Sequence, residues 1–138
     1  MSASTKLSTT VKALCYLAEA APAGKTSQEI SEGIGINASK LRKIFSLLVK
    51  TKMIESNIGT YGGFVLKKNP ADIHLQEIYC AIEDRKAFHL NVNKEHIQKN
   101  ERSAKLNDFF LALFADIQIE IEDKMKSLTL KQIIDKTK

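Results

Sequence analysis

Apolar residues in the first half of the chain fall into short runs with two different periods. Leu41, Ile44, Phe45 and Leu48 are spaced i, i+3, i+4, i+7, which predicts a helix burying one stripe, with Asn37 placed to cap its start. Just before it, Thr26 and Glu29 are spaced as a capping box, so another helix is expected to begin at Ser27, with Gly33 and Gly35 ending it. Two helices joined by a tight glycine-bearing turn read as a helix-turn-helix. Upstream, Leu7 to Ala21 predicts a helix with Ser8 or Thr9 as cap, an apolar face of Val11, Leu14, Cys15 and Ala18, and a stop at Pro22 and Gly24. Downstream, Met53 to Leu66 holds a short β-type run, a turn with Gly59, Gly62 and Gly63, and a second apolar run Phe64, Val65, Leu66, which predicts a β-hairpin in the position of a wing.

The second half opens with a turn at Pro70 and Asp72, then a short amphipathic helix marked by Leu75, Ile78, Tyr79 and Ile82, with His74 opening it. Arg85 to Glu101 is polar and without clear period, and reads as a loop. From Ser103 the helical pattern returns: Leu106, Phe109, Phe110, Leu113, Ile117, Ile121, Met125 and Leu128 recur at intervals of three and four. So long an apolar stripe exceeds what a chain of 138 residues readily covers, which points to a partner helix and a homodimer, with Leu106, Phe109, Phe110, Leu113, Ile117 and Ile121 at the dimerisation face. Thr129 and Gln132 form another capping box, opening a terminal helix with Leu130, Ile133 and Ile134. The expected fold is mainly α: a winged helix-turn-helix DNA-binding domain over residues 1–69, then a connecting helix, a loop and a long dimerisation helix over 70–138.

Charge sharpens this picture. The net charge is +5, and residues 1–70 carry ten Lys/Arg against four Asp/Glu, whereas 71–138 carry eleven against twelve. The basic half is the one with the helix-turn-helix. Between Ala38 and Lys52 stand Lys40, Arg42, Lys43, Lys50 and Lys52 and no acid, and Ser39, Arg42, Lys43, Ser46 and Lys50 share the face opposite the apolar stripe. A charge run usually does no more than solvate a surface. Here the cations are mixed with hydroxyls on a helix that follows a tight turn and precedes a wing, and duplex DNA offers phosphates to Lys and Arg and base edges to Arg and Ser. The residues expected at DNA are therefore Ser39, Arg42, Lys43 and Ser46 at bases or flanking phosphates, and Lys40, Lys50, Thr26, Ser27 and Gln28 at phosphates. Thr60 and Tyr61 are expected in or beside the minor groove. Lys6 is a further candidate phosphate contact, although a lone lysine near a terminus is more often simply solvated.

Other chemistry finds little support. No phosphate-cradling glycine loop, nucleophile elbow or carboxylate pair is present, so the chain is not expected to be an enzyme. Glu120, Glu122 and Asp123 read as the solvated side of the long helix. The two cysteines, Cys15 and Cys80, are far apart and give no disulfide framework. Cys15 lies on an apolar helix face, and Cys80 has Glu77, Glu83 and Asp84 near it, an acidic setting that disfavours a reactive thiolate. His74, His89 and His96 share no zinc-ligand spacing with either cysteine, so neither metal nor cofactor is expected. Without a signal-like N-terminal run or a spanning stretch, no membrane partner is expected, and the cytoplasm is the expected compartment. Two alternatives stay open: a winged-helix module binding protein instead of DNA, and a DNA-binding regulator with a thiol sensor at Cys80.

The succession KALCYLAEA, TSQEISEGIGINASKLRKIFSLLVK, NIGTYGGFVL, NPADIHLQEIYCAIE and a final helix ending in SLTLKQI resembles the BadM/Rrf family of bacterial winged-helix regulators over nearly the whole chain. The resemblance implies a homodimeric transcription factor, usually a repressor, whose long helices form the dimer and present two wings to a palindromic operator. It implies base reading near the start of the second helix of the motif, at Ser39 and Arg42. Two departures stand out. Relatives commonly carry an arginine before the first glycine of the wing, where this chain has Ile58, which leaves Thr60, Tyr61 and backbone amides as the wing contacts. Cluster-binding members carry three cysteines before the long helix, and residues 85–104 contain none, so the chain resembles the branch without them. Its effector is not legible.

Overall fold

The structure is a computed structural model, and it describes residues 2–57, 62–83 and 101–138. Among these residues there are six α-helices and one two-stranded antiparallel sheet. The helices are α1 (Ala3–Ala20), α2 (Ser27–Ile34), α3 (Ala38–Lys50), α4 (Leu75–Ile82), α5 (Glu101–Lys126) and α6 (Leu130–Lys136), and the strands are β1 (Ile54–Asn57) and β2 (Gly63–Leu66). Two compact units result: residues 1–84 with 126–138, and residues 85–125. The first unit thus reaches beyond residue 69 and takes in α4 and α6.

Within the first unit, Leu41, Ile44, Phe45 and Leu48 of α3 are all buried, together with Leu14 and Leu17 of α1, Ile30 of α2, Ile78 and Ile82 of α4, and Leu130 and Ile134 of α6. The stripe on α3 is the one expected. That on α1 is turned: Thr10, Ala13, Leu14 and Leu17 are buried, while Val11, Cys15 and Ala18 pack only partly against the core. Thr10 escapes a penalty because its hydroxyl donates to the Lys6 carbonyl at 2.7 Å. This helix also begins earlier than expected, at Ala3 and not after Ser8 or Thr9, because Ser2 accepts the Thr5 amide at 3.2 Å and acts as the cap.

The hairpin pairs Ile54 with Leu66 and Asn57 with Gly63. Its second strand is also bonded on its other edge: Lys25 N donates to the Phe64 carbonyl at 3.0 Å and Phe64 N to the Lys25 carbonyl at 2.7 Å. Phe64 then lies against Phe45, ring centroids 4.7 Å apart. Gly63 belongs to this strand and not to the turn. Its φ is +123°, and a Cβ would lie 2.6 Å from the Lys25 carbonyl carbon and oxygen, so the close approach of the two backbones requires glycine. Gly33 likewise lies inside α2 and not at its end, where a Cβ would meet the Tyr16 ring at 2.4 Å; only Gly35, at φ +73°, is the left-handed cap.

Asn69 caps a 3-10 turn at Pro70–Asp72, and His74 Nδ1 accepts the Glu77 amide at 3.1 Å to open α4. The chain end returns to the same place: Leu75 N donates to the Leu128 carbonyl and Leu130 N to the Ile73 carbonyl, at 2.9 and 2.7 Å. The Thr129–Gln132 capping box then starts α6. In the second unit, α5 runs from Glu101, two residues before the expected start. The expected loop was Arg85 to Glu101; its residues 85–100, with Asp84, lie outside the described residues, and Glu101 is already helical.

The glycine geometry yields an ordering of stabilities. Gly63→Ala, strained in φ and in collision with Lys25, is expected to cost more than about 2 kcal/mol, whereas Gly35→Ala, strained in φ with open space around it, is expected to cost about 1 kcal/mol. Urea unfolding of the two variants measures both, and equal midpoints would contradict this account.

Candidate nucleic-acid interface

The exposed side of α3 follows from the buried one, since a helix that buries positions 41, 44, 45 and 48 must turn 39, 42, 43, 46 and 50 outward. Ser39, Lys40, Arg42, Lys43, Ser46 and Lys50 are all exposed. Asn37 fixes where this surface begins: its Oδ1 accepts the amides of Ser39 at 2.8 Å and Lys40 at 3.3 Å. Lys52, just past the helix, holds φ +62° while its amide and that of Met53 close the helix end onto the Val49 and Leu48 carbonyls.

Helix α2 is locked at its own start. Thr26 Oγ1 accepts the Glu29 amide at 3.1 Å, and a Glu29 carboxylate oxygen accepts the Thr26 amide at 3.4 Å, completing the expected box. Lys25 lies 3.5 Å from the same carboxylate. The Thr26 backbone N–H, followed by its hydroxyl and by Lys25, holds the Glu29 carboxyl below its ordinary pKa. The two helices are joined across the turn by Arg42, whose Nε donates to Ser27 Oγ at 3.1 Å. That bond uses one edge of the guanidinium and leaves its terminal nitrogens for another acceptor.

Not every expected contact residue is equally free. Gln28 donates to Glu32 at 3.1 Å, and Ser46 donates to the Lys43 carbonyl at 2.7 Å, so Ser46 offers an outside partner only acceptor capacity. Thr60 and Tyr61, with Ile58, lie outside the described residues. Lys6 is brought in by the fold: with Lys40, Lys43, Ile44 and Leu47 it lines a notch of about 230 Å³. A lone lysine in the sequence thus becomes the third cation of a cluster, a result of α1 packing that no local pattern announces.

On α5, Leu106, Phe109, Phe110 and Leu113 are exposed and Ile117 and Ile121 half-buried. Phe109 is 61% exposed, and its ring is 5.6 Å from that of Phe110, which is 5.8 Å from that of Phe114. Leu111 and Ile119, outside the expected stripe, are exposed as well. Leu128 falls beyond the helix.

A capped helix-turn-helix with a cationic outer face, followed by a hairpin bonded to its first connection, defines a winged-helix DNA-binding protein. The profile of the Rrf2 family, described as "Iron-dependent Transcriptional regulator", matches residues 3–136. The chain belongs to that family, and it is a DNA-binding transcriptional regulator and not an enzyme. It is 32% identical over 115 residues to YwnA of Bacillus subtilis, an HTH-type transcriptional regulator by name, covering 80% of this chain and 83% of that one. A second Bacillus subtilis protein so named, YwgB, is 31% identical over 119 residues, covering 83% and 71%. Among solved structures, T. potens IscR superposes with a TM-score of 0.72 at 21% identity, covering 100% of this chain and 89% of that one. CymR, the global cysteine regulator of B. subtilis, superposes with 0.73 at 21%, covering 97% and 96%. At these identities the structures speak for the fold.

The family's description names iron, and the donors here do not fit a thiolate-held cluster. The two cysteines stand on different helices, Cys15 half-buried on α1 and Cys80 exposed on α4. Among the described residues no three His, Cys, Asp or Glu side chains are grouped to hold a metal, and the segment before α5 has no cysteine. Among those residues, too, no helix is long and apolar enough to cross a membrane.

The capping box carries a pH signature. A carboxyl held below its unfolded pKa stabilises the fold above that unfolded value, and the contribution is lost as pH falls through the lower, folded one. Glu29→Gln keeps the box geometry but removes the charge, so its stability deficit is expected at neutral pH and should close on acidification through the carboxylate range. Thermal melts of the pair from pH 7 downward check this, and a deficit independent of pH would contradict it.

Proposed function

We propose that this chain acts as a homodimer that binds a palindromic operator in the bacterial cytoplasm and represses transcription. The observation that carries the reading is the outer face of α3, cationic and hydroxyl-bearing without an acid, and held in register by Asn37 and by the Arg42–Ser27 bond. Residues 1–69 supply the DNA contacts. Ser39 and Arg42, nearest the helix start, read base edges in the major groove, with Lys43 and Ser46 at bases or flanking phosphates. Lys40, Lys50, Thr26, Ser27 and Gln28 take phosphates, and Thr60 and Tyr61 face the minor groove.

The rest of the division falls to residues 70–138. The exposed Leu106, Phe109, Phe110 and Leu113 on α5 form an apolar strip of the kind that a second copy covers, with Ile117 and Ile121 at its margin. Two copies related by a two-fold axis present two recognition helices, and a two-fold reader requires a palindromic site.

Selection from random duplexes, followed by binding across a salt series, tests the reading. The selected sequence should be a palindrome bound far more tightly than a scrambled one. Arg42→Ala should weaken the selected duplex by about 1–3 kcal/mol and relax the preference at one base pair, whereas Lys50→Ala should weaken all duplexes alike and reduce the salt slope by about one. Equal and steeply salt-dependent binding to both duplexes would mean that only phosphates are felt, and would refute operator reading. Replacing Phe109 and Phe110 with Asp should convert a dimer into monomers in sedimentation, and an unchanged mass would refute the strip as the interface.

A further inference from the structure

The cation notch is built from two helices that meet only in the folded chain. It measures about 230 Å³ and is lined by Lys40, Lys43, Ile44 and Leu47 of α3 and by Lys6 of α1. The four residues of α3 are spaced i, i+3, i+4, i+7, so they form one face of that helix. Ile44 is buried and Leu47 half-buried, which gives the notch an apolar floor, while Lys40 and Lys43 are exposed and Lys6 is half-buried. A half-buried lysine keeps its stem against the protein and its ammonium towards water.

No carboxylate lines the notch, and among the described residues none of its three lysines forms an ion pair. Lys6 also borders a second cleft, of about 320 Å³, with Leu47, Cys80, Ala81, Ile82 and Glu83. Glu83 lines that cleft and not the notch, and it does not come within ion-pair distance of Lys6. Three cations over an apolar floor repel one another, and the low-dielectric wall concentrates their field. An anion seated among them removes the repulsion. The place of the notch on α3 says which anion. Ser39, Arg42 and Ser46 lie roughly a third of a turn round the axis from the notch face. A helix about 10–12 Å across fills a major groove about 12 Å wide, so turning one face to the base edges turns its flanks to the sugar-phosphate walls. The notch lies on such a flank, and Lys6 adds to it a cation from outside the helix-turn-helix.

We propose that Lys6, Lys40 and Lys43 together form one seat for a single phosphate of the DNA backbone at the wall of the major groove. The seat rests on the reading of α3 as the recognition helix and sharpens it in two ways. Lys43 serves the backbone and not a base, which leaves base reading to Ser39, Arg42 and Ser46. Lys6 makes α1 part of the interface, so the depth at which α3 enters the groove is fixed from a helix outside the motif. The contact carries no sequence information; it positions the residues that do.

Lys6→Gln, Lys40→Gln and Lys43→Gln, singly and together, test the seat across a salt series on the selected and the scrambled duplex. Each single change should weaken both duplexes about tenfold without lowering Tm, since it removes repulsion from the free protein. All three together should reduce the salt slope by about 0.9 per bound protomer, the share of one phosphate, whereas three separate contacts would remove about three times as much. A neutral methylphosphonate placed at successive linkages of the selected duplex then locates the seat. One linkage in each half-site should cost the wild type about tenfold and cost the triple variant nothing. If each single variant became insensitive at a different linkage, the shared seat would be overturned, and unchanged binding by Lys6→Gln would overturn it as well. A Lys43→Gln loss confined to one base pair of the selected duplex would return Lys43 to the bases. If no duplex is preferred over another, the operator reading fails, while the salt slopes on either duplex still decide the seat.

Discussion

Burial of Leu41, Ile44, Phe45 and Leu48 is the constraint on which the rest depends. Four large side chains, each 2% exposed or less, leave α3 no freedom to rotate about its axis, since any other face would put lysines into an apolar core. The orientation of the outward residues is a consequence of that packing. The Arg42–Ser27 bond then ties the outward face of α3 to the start of α2.

The same packing anchors the wing. Phe45 faces inward against Phe64, and Phe64 sits in the strand whose free edge is taken by Lys25. The connection leading into α2 is thereby bonded to the hairpin, so the base of the wing and the helix-turn-helix cannot move independently. Gly63 is where the two backbones touch. Lys25 serves both sides of this junction, through its backbone to the strand and through its side chain to Glu29 of the capping box.

The terminal helix completes the unit in a similar manner. Leu130 and Ile134 are buried with residues of α1 and α4, and the backbone bonds between residues 73–75 and 128–130 hold the segment at the start of α4. The chain leaves this unit after α4 and returns to it before α6, with α5 in between. Lys6 of α1 borders both the cation notch, with residues of α3, and the Cys80 cleft, with residues of α3 and α4.

Local physics made most of the elements legible. Capping boxes at Thr26 and Thr129, the Asn37 and His74 caps and the stripe on α3 each depend on groups three or four residues apart, and each lies where the sequence placed it. Residues 1–20 were less legible, because the face that α1 buries is chosen by α2, α4 and α6 and not by hydropathy alone; Thr10 enters the core because its hydroxyl can bond to its own helix. Gly33 and Gly63 looked like turn residues for the same reason, since the Tyr16 ring and the Lys25 backbone they accommodate are distant in sequence. What the sequence determined by itself was the set of helices, the hairpin and the cationic face of α3, all encoded in short-range periodicity and capping. Only the tertiary structure decided that Arg42 is held by Ser27, that Lys6 lines one notch with Lys40 and Lys43, and that Lys6 and Cys80 border one cleft, because these groupings bring together residues fifteen or more positions apart and exist only once the helices pack.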